Sequence, residues 1–251
     1  MKYDNFFWLH IKKSAGISTR KLLQPYYKQV DRRTQKPKNF IQSTPEEYND
    51  ILNNFRVVLG EYQYKRVLFA KNYLYPNNWN SIFSFAFSRN PMDRCISMFY
   101  YLHYRERSLL QNLYKAAKNI KTNKIIGLSV SYDFDLFLEL IERVAHNEFE
   151  SIYSPTGLHF STHTAPMFND VTDMEGSLLL KKVYRLEHLY EGIEQVFEMC
   201  GLDYDVSKNK NVNKNVNKRR GFYKPNESQR TKIAELYKQD FELYENAANN
   251  I

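Results

Sequence analysis

Residues 5–11, NFFWLHI, constrain the fold of this chain more than any other stretch. The segment is apolar on both of its alternating sides, whereas a strand with one face in water alternates apolar and polar residues. Strands that are buried on both faces occur in the middle of parallel sheets, where helices cover each face. The stretch therefore predicts a central strand of a parallel sheet.

The rest of the chain alternates between strand-like and helix-like patterns. Strands are predicted at 55–60, 80–88 and 181–186. Helices are predicted at 17–27, 44–53, 91–102, 107–121, 134–145, 189–200 and 226–247. This alternation predicts an α/β fold in one domain, residues 1–251, with a mostly parallel central sheet flanked by helices.

Two segments follow neither period. Residues 154–170, SPTGLHFSTHTAPMFND, are predicted to form a long loop, and such loops inside compact domains are usually functional or mobile. Residues 207–220, SKNKNVNKNVNKRR, are low in complexity and strongly basic, which is typical of a disordered linker.

Composition narrows the class of protein. The chain has 2 cysteines, Cys95 and Cys200, far apart in sequence, which excludes a disulfide framework and a CxxC metal site and favours a reducing compartment. No apolar segment approaches the ~20 residues that a membrane span needs. The first strand begins close to Met1, and no secretory leader is visible. We therefore expect a cytoplasmic protein without a membrane span.

The chain carries a formal net charge of +8, and its pI is about 9.2. A positive field of this kind favours anionic partners. Nucleic acids, nucleotides and acidic glycans all meet that requirement, and a face of solvated lysines is the simplest interpretation. Charge alone therefore does not select a function.

The turn after the first strand, HIKKSAGIS, is the first candidate site. Where a strand leads into a helix, unpaired backbone N–H groups and the positive end of the helix dipole face outward. Lys13, Ser14 and Ser18 add an ammonium group and hydroxyls, so the turn suits a phosphate. It is not a Walker A loop, GxxxxGK[ST], because Gly16 is the only glycine in it. A plain solvated turn is the alternative interpretation.

A second candidate site follows the strand at 80–88. Arg89 is placed where that strand ends, at the edge of the sheet where open α/β sheets bind ligands. An arginine can bind a phosphate through two parallel hydrogen bonds. Arg94 and Ser97, at i and i+3 of the next helix, share one of its sides. The alternative is that Arg89 caps a turn and pairs with an acid.

Taken together, these segments resemble the sulfotransferases of the carbohydrate (family 2) branch, which use 3′-phosphoadenosine 5′-phosphosulfate (PAPS). HIKKSAGIS resembles their HIPKTGGTS loop, and SRNPMDRCISMFYY resembles their RDPxxRxxSxxY segment. HTAPM, at 163–167, is similar to HxxPQ, and VYRLEHLYEGIEQVFEMCGL to the strand and helix that follow. VNKRRGFY and YKQDFELYE resemble the closing loop and helix. The resemblance covers most of the chain in the family's order.

The resemblance implies a P-loop-like nucleotide site. Lys13 would bind the 5′ phosphosulfate and stabilise the leaving oxygen, and Arg89 and Ser97 would hold the 3′-phosphate. Residues 207–224 would form a mobile basic loop over the nucleotide. The implied nucleotide-binding residues are Lys12, Lys13, Ser14, Ala15, Gly16, Ile17, Ser18, Arg89, Ser97, Arg219, Arg220 and Gly221.

The chain departs from the motifs of the family at four positions. Lys12 replaces a proline, Ile17 a threonine, Asn90 the aspartate of RDP, and Met167 the glutamine of HxxPQ. The change at Ile17 removes one hydroxyl from the turn. The change at Met167 alters the loop that would contact the acceptor.

By resemblance the reaction is an in-line transfer of a sulfuryl group from PAPS, which leaves 3′,5′-adenosine bisphosphate (PAP). Positioning and electrostatic stabilisation supply most of the catalysis in such displacements, and we expect no metal. A general base must take the proton of the acceptor hydroxyl or amine. The candidates are Glu61, whose pKa would be raised by burial among tyrosines, and His163 of HTAPM.

We expect a carbohydrate or small-metabolite acceptor and no nucleic-acid partner. The sequence does not indicate an oligomeric state.

Two other functions fit parts of the sequence. A nucleotide kinase would also use a cationic turn between strand and helix, but the Walker A glycines and a carboxylate for Mg²⁺ are not evident. A basic nucleic-acid-binding protein would use residues 207–220, and its binding would fall steeply with salt and survive mutation of Lys13.

Overall fold

The computed structural model describes residues 3–24, 26–27, 52, 58–102, 130–146, 155–207 and 223–247. Three strands lie in this part of the chain: β1 (Asn5–Leu9), β2 (Ile82–Ser88) and β3 (Lys182–Arg185). The α-helices in it are α1 (Gly16–Leu22), α2 (Arg66–Phe69), α3 (Pro91–Leu102), α4 (Val130–His146), α5 (Pro155–Thr164), α6 (Met167–Val171), α7 (Leu189–Cys200), α8 (Glu227–Leu236) and α9 (Lys238–Asn246). Shorter 3₁₀ segments are Gly60–Tyr62, Trp79–Ser81 and Leu186–His188, and Ala70–Leu74 is a π-helical turn.

The chain divides into two compact units, which are described separately. The first consists of Met1–Asn90, Ala165–Asn215 and Gln239–Ile251, and the second of Pro91–Thr164 and Val216–Lys238. The division falls directly between Asn90 and Pro91. Accordingly, the sheet belongs to the first unit, and α3, α4, α5 and α8 belong to the second.

The sheet of the first unit is parallel, with the order β1-β2-β3. Leu9 lies opposite Ala86, and Ser88 lies opposite Arg185, so the three carboxyl ends meet at one edge. Every residue of β2 is buried, as expected for a central strand covered on both faces. The predicted α/β fold with a parallel sheet flanked by helices is confirmed.

Side chains alternate between the two faces of the sheet, and each face has its own core. Phe7, Leu9 and Ala86 belong to one apolar cluster, which includes residues of α2, α6 and α9. Phe6, Trp8, Phe83, Phe85, Phe87 and Tyr184 belong to the other, with residues of α1 and α7. Burial of these rings on both faces fixes the register of the strands, because a slip of one residue would exchange the faces.

The described residues of the second unit lie mainly in helices. Its core is rich in aromatic rings: the Phe99 and Phe134 ring centroids are 5.0 Å apart, and those of Phe137 and Phe160 are 5.8 Å apart. Helix α8 begins with a capping box in which Asn226 and Gln229 exchange hydrogen bonds between side chain and backbone. Of the helices that the structure describes, none has the length and apolarity to cross a membrane.

Five of the predicted elements are confirmed: the strands at 80–88 and 181–186, and the helices at 91–102, 134–145 and 189–200. The predicted strand at 55–60 is wrong in its described part, because residues 58–59 are irregular and a 3₁₀ turn begins at Gly60. The rest of that strand lies outside the described residues. So do two predicted helices, the one at 107–121 and, except for Leu52, the one at 44–53.

The predicted loop at 154–170 is wrong, because it contains helices α5 and α6. Helix α6 has no capping side chain of its own at Pro166. Instead, the fully buried carboxylate of Asp240 accepts hydrogen bonds from the N–H groups of Met167 (2.9 Å) and Phe168 (2.8 Å). A cap supplied from more than seventy residues away leaves no local signal in the sequence.

The predicted helix at 226–247 is interrupted. Tyr237, with φ −122°, separates α8 from α9. The Tyr237 hydroxyl donates a 2.7 Å hydrogen bond to the carbonyl of Thr164, and its side chain is buried. The side chain at the break between the helices is thus held by its burial and by this hydrogen bond.

Candidate functional site

The turn between β1 and α1 has an unusual backbone. Lys13 (φ 69°) and Ala15 (φ 55°) both adopt the left-handed conformation, although neither is glycine. Each such residue costs roughly 1–2 kcal/mol, so the surrounding structure must hold it in place. Alternation of left-handed and right-handed residues turns successive N–H groups towards one hollow, and such hollows bind anions. Ala15 followed by the helical Gly16 is a pair of this kind.

Gly16 is required by the packing of the turn. A Cβ atom at this position would overlap the imidazole ring of His10. That ring is stacked on Trp8, with centroids 5.2 Å apart and planes at 24°. His10 therefore packs against the backbone where the helix begins, and any side chain at position 16 would displace it.

Arg89 is brought to the same turn. Its side chain is buried, and Nη1 donates a 3.0 Å hydrogen bond to the carbonyl oxygen of Lys13. The next N–H, that of Ser14, donates to the carbonyl of Ile11 at 3.3 Å. This contact joins the two candidate sites, the turn after β1 and the segment after β2, through residues 76 positions apart.

The side chains of the turn differ in their exposure. Lys12 and Ser14 are buried, Lys13 and Ser18 are half-buried, and Ile17 is 64% exposed. Among the described residues, the buried Ser14 Oγ has no hydrogen-bond partner. A buried hydroxyl without a partner is costly, so this atom suits a site that a bound acceptor group completes.

Glu61 is not placed as expected. It lies in the 3₁₀ turn Gly60–Tyr62 and is exposed, so the predicted burial among tyrosines is wrong. Its basic neighbours in sequence have other contacts. Lys65 Nζ donates to Thr172 Oγ1 (3.1 Å) and to the carbonyl of Asp173 (2.7 Å), and burial lowers the pKa of this lysine.

Arg66, the second basic residue after Glu61, lies next to an aspartate. Its Nε lies 3.6 Å from Oδ1 of Asp170, and both side chains are buried. Both cations that follow Glu61 in the sequence therefore have contacts with other residues. The role of Glu61 as a base stays a prediction.

In the second unit, His163 is buried near the end of α5. Its Nδ1 lies 2.7 Å from the carbonyl oxygen of His159. A carbonyl only accepts, so Nδ1 carries the proton, and in the neutral ring Nε2 holds the lone pair. The ring is stacked on Tyr101, with centroids 5.0 Å apart and planes at 26°. Tautomer and orientation of this histidine are thereby set.

Arg94 supports the same histidine. Its Nη2 donates a 3.2 Å hydrogen bond to the carbonyl of His163, and its guanidinium lies over the Tyr237 ring at 5.7 Å. Ser97 is buried three residues further along α3. Because Ser97 belongs to the second unit and Arg89 to the first, their joint role at a 3′-phosphate stays a prediction.

The predicted nucleotide clamp of Arg219, Arg220 and Gly221 lies outside the described residues. Immediately after it, Tyr223 is anchored: its hydroxyl contacts Gln229 Oε1, and its ring centroid is 5.0 Å from that of Phe134. Gln229 in turn donates to Asp135 at 2.7 Å. The C-terminal end of the basic segment is thus tied to helices α4 and α8.

Sequence reasoning missed two of the residues that shape these sites. Neither Tyr101, which stacks on His163, nor His10, which packs against Gly16, carries a local sequence signal for that contact. The spacing of His159 and His163 is i, i+4, which brings residues together on a helix. That signal was lost because the segment was predicted to be a loop, although its Ser154-Pro155 start is typical of a helix N-terminus.

The two cysteines of the chain are weakly reactive thiols. Burial raises the pKa of the Cys95 thiol to about 12 and that of Cys200 to about 11. Both are therefore protonated near neutral pH and poor nucleophiles. Within the described part of the chain, no group of three His, Cys, Asp or Glu side chains comes together as metal ligands would.

Comparison with known proteins adds one finding. The family model described as "Sulfotransferase family" matches residues 2–246, which is nearly the whole chain. The match includes the turn around Lys13, Arg89 and the His163 segment. Comparison with curated proteins and with solved structures finds no match.

Proposed function

This chain belongs to the sulfotransferase family, and on that premise we propose that it transfers the sulfuryl group of PAPS to a hydroxyl or amine of a carbohydrate or small metabolite. The products are PAP and the sulfated acceptor. The observation that carries the proposal is the turn after β1. It combines a lysine held in the left-handed conformation with a buried serine hydroxyl that lacks a partner among the described residues.

The residues of this turn fit the 5′ phosphosulfate of the donor. The bound donor would present acceptor oxygens to the turn's N–H groups and to Ser14 Oγ, whose desolvation is otherwise uncompensated. The half-buried Lys13 adds a positive charge at the same place. Charge-assisted hydrogen bonds of this kind are roughly twice as strong as neutral ones.

Lys13 would supply the main catalytic effect. Negative charge grows on the bridging oxygen as the bond to sulfur breaks, and an ammonium group fixed beforehand stabilises that charge without reorganisation. The left-handed backbone and the Arg89 contact hold the Lys13 main chain before the donor arrives. Such positioning matters in sulfuryl transfer, because the protein has little covalent chemistry to contribute to an in-line displacement.

His163 is favoured over Glu61 as the general base. Its Nε2 is the lone-pair nitrogen of the neutral ring, since Nδ1 donates to the His159 carbonyl. A neutral imidazole with a lone pair on Nε2 can accept a proton, and histidine is the side chain that most often serves as a general base. Glu61 is exposed and lacks the burial that was expected for it. Lys13 belongs to the first unit and His163 to the second.

The remaining parts of the proposal come from the sequence. A cytoplasmic location follows from the cysteine content, and transfer without a metal follows from the resemblance. The basic segment 207–224 would close over the nucleotide. The acceptor class, carbohydrate or small metabolite, is supported by the family branch that the motifs resemble.

Calorimetric titration of the protein with PAP, ADP, AMP and a short oligonucleotide tests this proposal. We expect micromolar binding of PAP that exceeds binding of ADP and AMP. Equal affinity for PAP and ADP would contradict it and favour a nucleotide kinase. Tight oligonucleotide binding that fades with salt would instead favour a nucleic-acid-binding protein.

A further inference from the structure

Three aromatic side chains, those of Tyr62, Phe69 and Tyr73, form a cluster in the first unit. We infer that this aromatic cluster binds a neutral sugar ring of a carbohydrate acceptor. The inference rests on the proposed function and deepens it, because it selects one class of acceptor. The cluster shares no residue with the turn after β1, which is the candidate donor site.

Each ring of the aromatic cluster contacts the other two. The ring centroids are 5.9 Å apart for Tyr62 and Phe69, 5.4 Å for Tyr62 and Tyr73, and 5.1 Å for Phe69 and Tyr73. These are contact distances between aromatic rings, so a flat molecule does not fit between them. A ligand can therefore bind only on the outer surface of the cluster, where Tyr73 is 58% exposed.

Two of the rings are anchored in the core. Tyr62 and Phe69 are half-buried and pack against the apolar cluster on one face of the sheet. Leu59, which precedes the turn of Tyr62, belongs to that apolar cluster. So does Ile11, which precedes Lys12 and Lys13. The aromatic cluster and the candidate donor site are thus attached to the same core.

The third ring, that of Tyr73, is exposed although it offers a large apolar area for burial. It lies in the π-helical turn Ala70–Leu74, and such turns occur frequently at functional sites. Contacts with the other two rings hold it, so it presents an ordered apolar surface to solvent. Contiguous apolar surface of this kind marks binding sites.

The chemistry of the aromatic cluster fits a sugar ring. The C–H groups of a pyranose carry small positive partial charges, and the face of an aromatic ring is negative. Hydroxyls lie at the edge of the cluster, where that of Tyr73 donates to the Tyr62 oxygen at 3.4 Å. A phenolic hydroxyl both donates and accepts, so it can bond to the hydroxyls around a sugar ring.

The charge beside the aromatic cluster favours an uncharged sugar. Glu61 is exposed and directly precedes Tyr62. The hydrogen bond with Tyr73 and, to a smaller extent, the charge of Glu61 raise the pKa of Tyr62 to about 12. The ammonium group of Lys65, the next cation in the sequence, donates to the Asp173 carbonyl. A carboxylate or sulfate group on the ligand would therefore meet a like charge, which is unfavourable.

Binding to an array of neutral and acidic oligosaccharides tests the inference without any donor. The wild type should bind neutral members, and Tyr73→Ala should weaken this binding about tenfold, because it removes the exposed ring. Tyr73→Phe keeps the ring and should retain most of the affinity. The inference is overturned if neutral members do not bind, if only acidic members bind, or if Tyr73→Ala binds like wild type.

Tyr26→Ala is the matched control. Tyr26 is a tyrosine of the first unit that is 38% exposed, and its ring centroid lies 5.3 Å from that of Phe197. This variant loses an exposed ring outside the aromatic cluster and should bind the oligosaccharides like wild type. An equal loss in Tyr26→Ala and Tyr73→Ala would overturn a site at the cluster.

Two further measurements separate the acceptor from the donor. Calorimetric titration with PAP should give the same Kd for wild type and Tyr73→Ala. With PAPS and a neutral oligosaccharide from the array, Tyr73→Ala should raise the KM for the acceptor about tenfold and leave kcat unchanged. A fall in kcat at constant KM overturns the inference. Neutral-sugar binding that depends on Tyr73, in a protein that does not bind PAP, would keep the sugar site and reject the proposed donor, so the two failures are distinguishable.

Discussion

The imidazole of His10 occupies the space that a side chain at position 16 would need. The ring is held there by its stack on Trp8. The glycine of the turn is therefore required by a specific neighbour, in addition to any requirement of a bound nucleotide.

Gly16→Ala is expected to destabilise the protein by about 1–3 kcal/mol, because the new methyl group forces His10 out of its position. In a His10→Ala background the same substitution should be neutral or stabilising by up to about 1 kcal/mol, since alanine favours the helix. Urea denaturation of the four proteins measures this compensation. Equal costs in both backgrounds would show that the ring is not the obstacle.

Ala15→Gly is expected to stabilise the fold by about 0.5–1 kcal/mol, because glycine adopts the left-handed conformation without a Cβ penalty. The substitution leaves every polar side chain of the turn in place, so PAP binding should persist. Thermal denaturation and calorimetric titration measure the two properties. A loss of stability would mean that the backbone of the turn is not strained as described.

His163→Gln is expected to lower kcat by about 10²–10⁴-fold, the usual loss on removal of a general base. Glu61→Gln should leave kcat at the wild-type level, because this side chain is exposed. The comparison uses the acceptor that label transfer from PAPS identifies. If Glu61→Gln is the damaging change, the assignment of the base is reversed.

Stability should fall at alkaline pH through Cys95. Burial raises the pKa of its thiol to about 12, above the ordinary value of a cysteine. Between about pH 9 and 12 the unfolded chain therefore loses a proton that the folded chain retains, and the free energy of unfolding falls by up to about 1.4 kcal/mol per pH unit. Below the unfolded pKa this contribution is fully present.

The control for this prediction is Cys95→Ala, which removes the titrating group. The difference in the free energy of unfolding between wild type and variant should shrink as the pH rises from 9 to 12. Chemical denaturation at several pH values measures it. A constant difference would mean that Cys95 titrates alike in the folded and unfolded chain.

The central elements of the fold were predictable because each carries its own pattern. β1 is apolar on both sides. Helix α7 ends at Cys200, directly before Gly201, whose φ of 66° is typical of a glycine C-cap. Helix α6 was not predictable, because the carboxylate that caps it, Asp240, is distant in sequence. Patterns within a short window cannot show such a partner.

The candidate site was predictable in its residues and less so in its geometry. Lys13 and Arg89 were both singled out, but their mutual hydrogen bond is a long-range contact. The left-handed backbone at Lys13 and Ala15 has no signal either, because such conformations normally accompany glycine or asparagine. The exposure of Glu61 depends on a segment that was predicted to be a strand and is irregular where described.

The central claim is that Lys13 binds the donor nucleotide. Its most direct test compares the affinity for PAP of two variants, Lys13→Ala and Lys21→Ala. Lys13 lies in the turn before α1, whereas Lys21 is exposed in the last turn of that helix. Calorimetric titration should show that Lys13→Ala raises the Kd about 10–100-fold, as loss of a charge-assisted hydrogen bond predicts. Lys21→Ala should bind like wild type. Equal affinities in the two variants would contradict a donor site at Lys13.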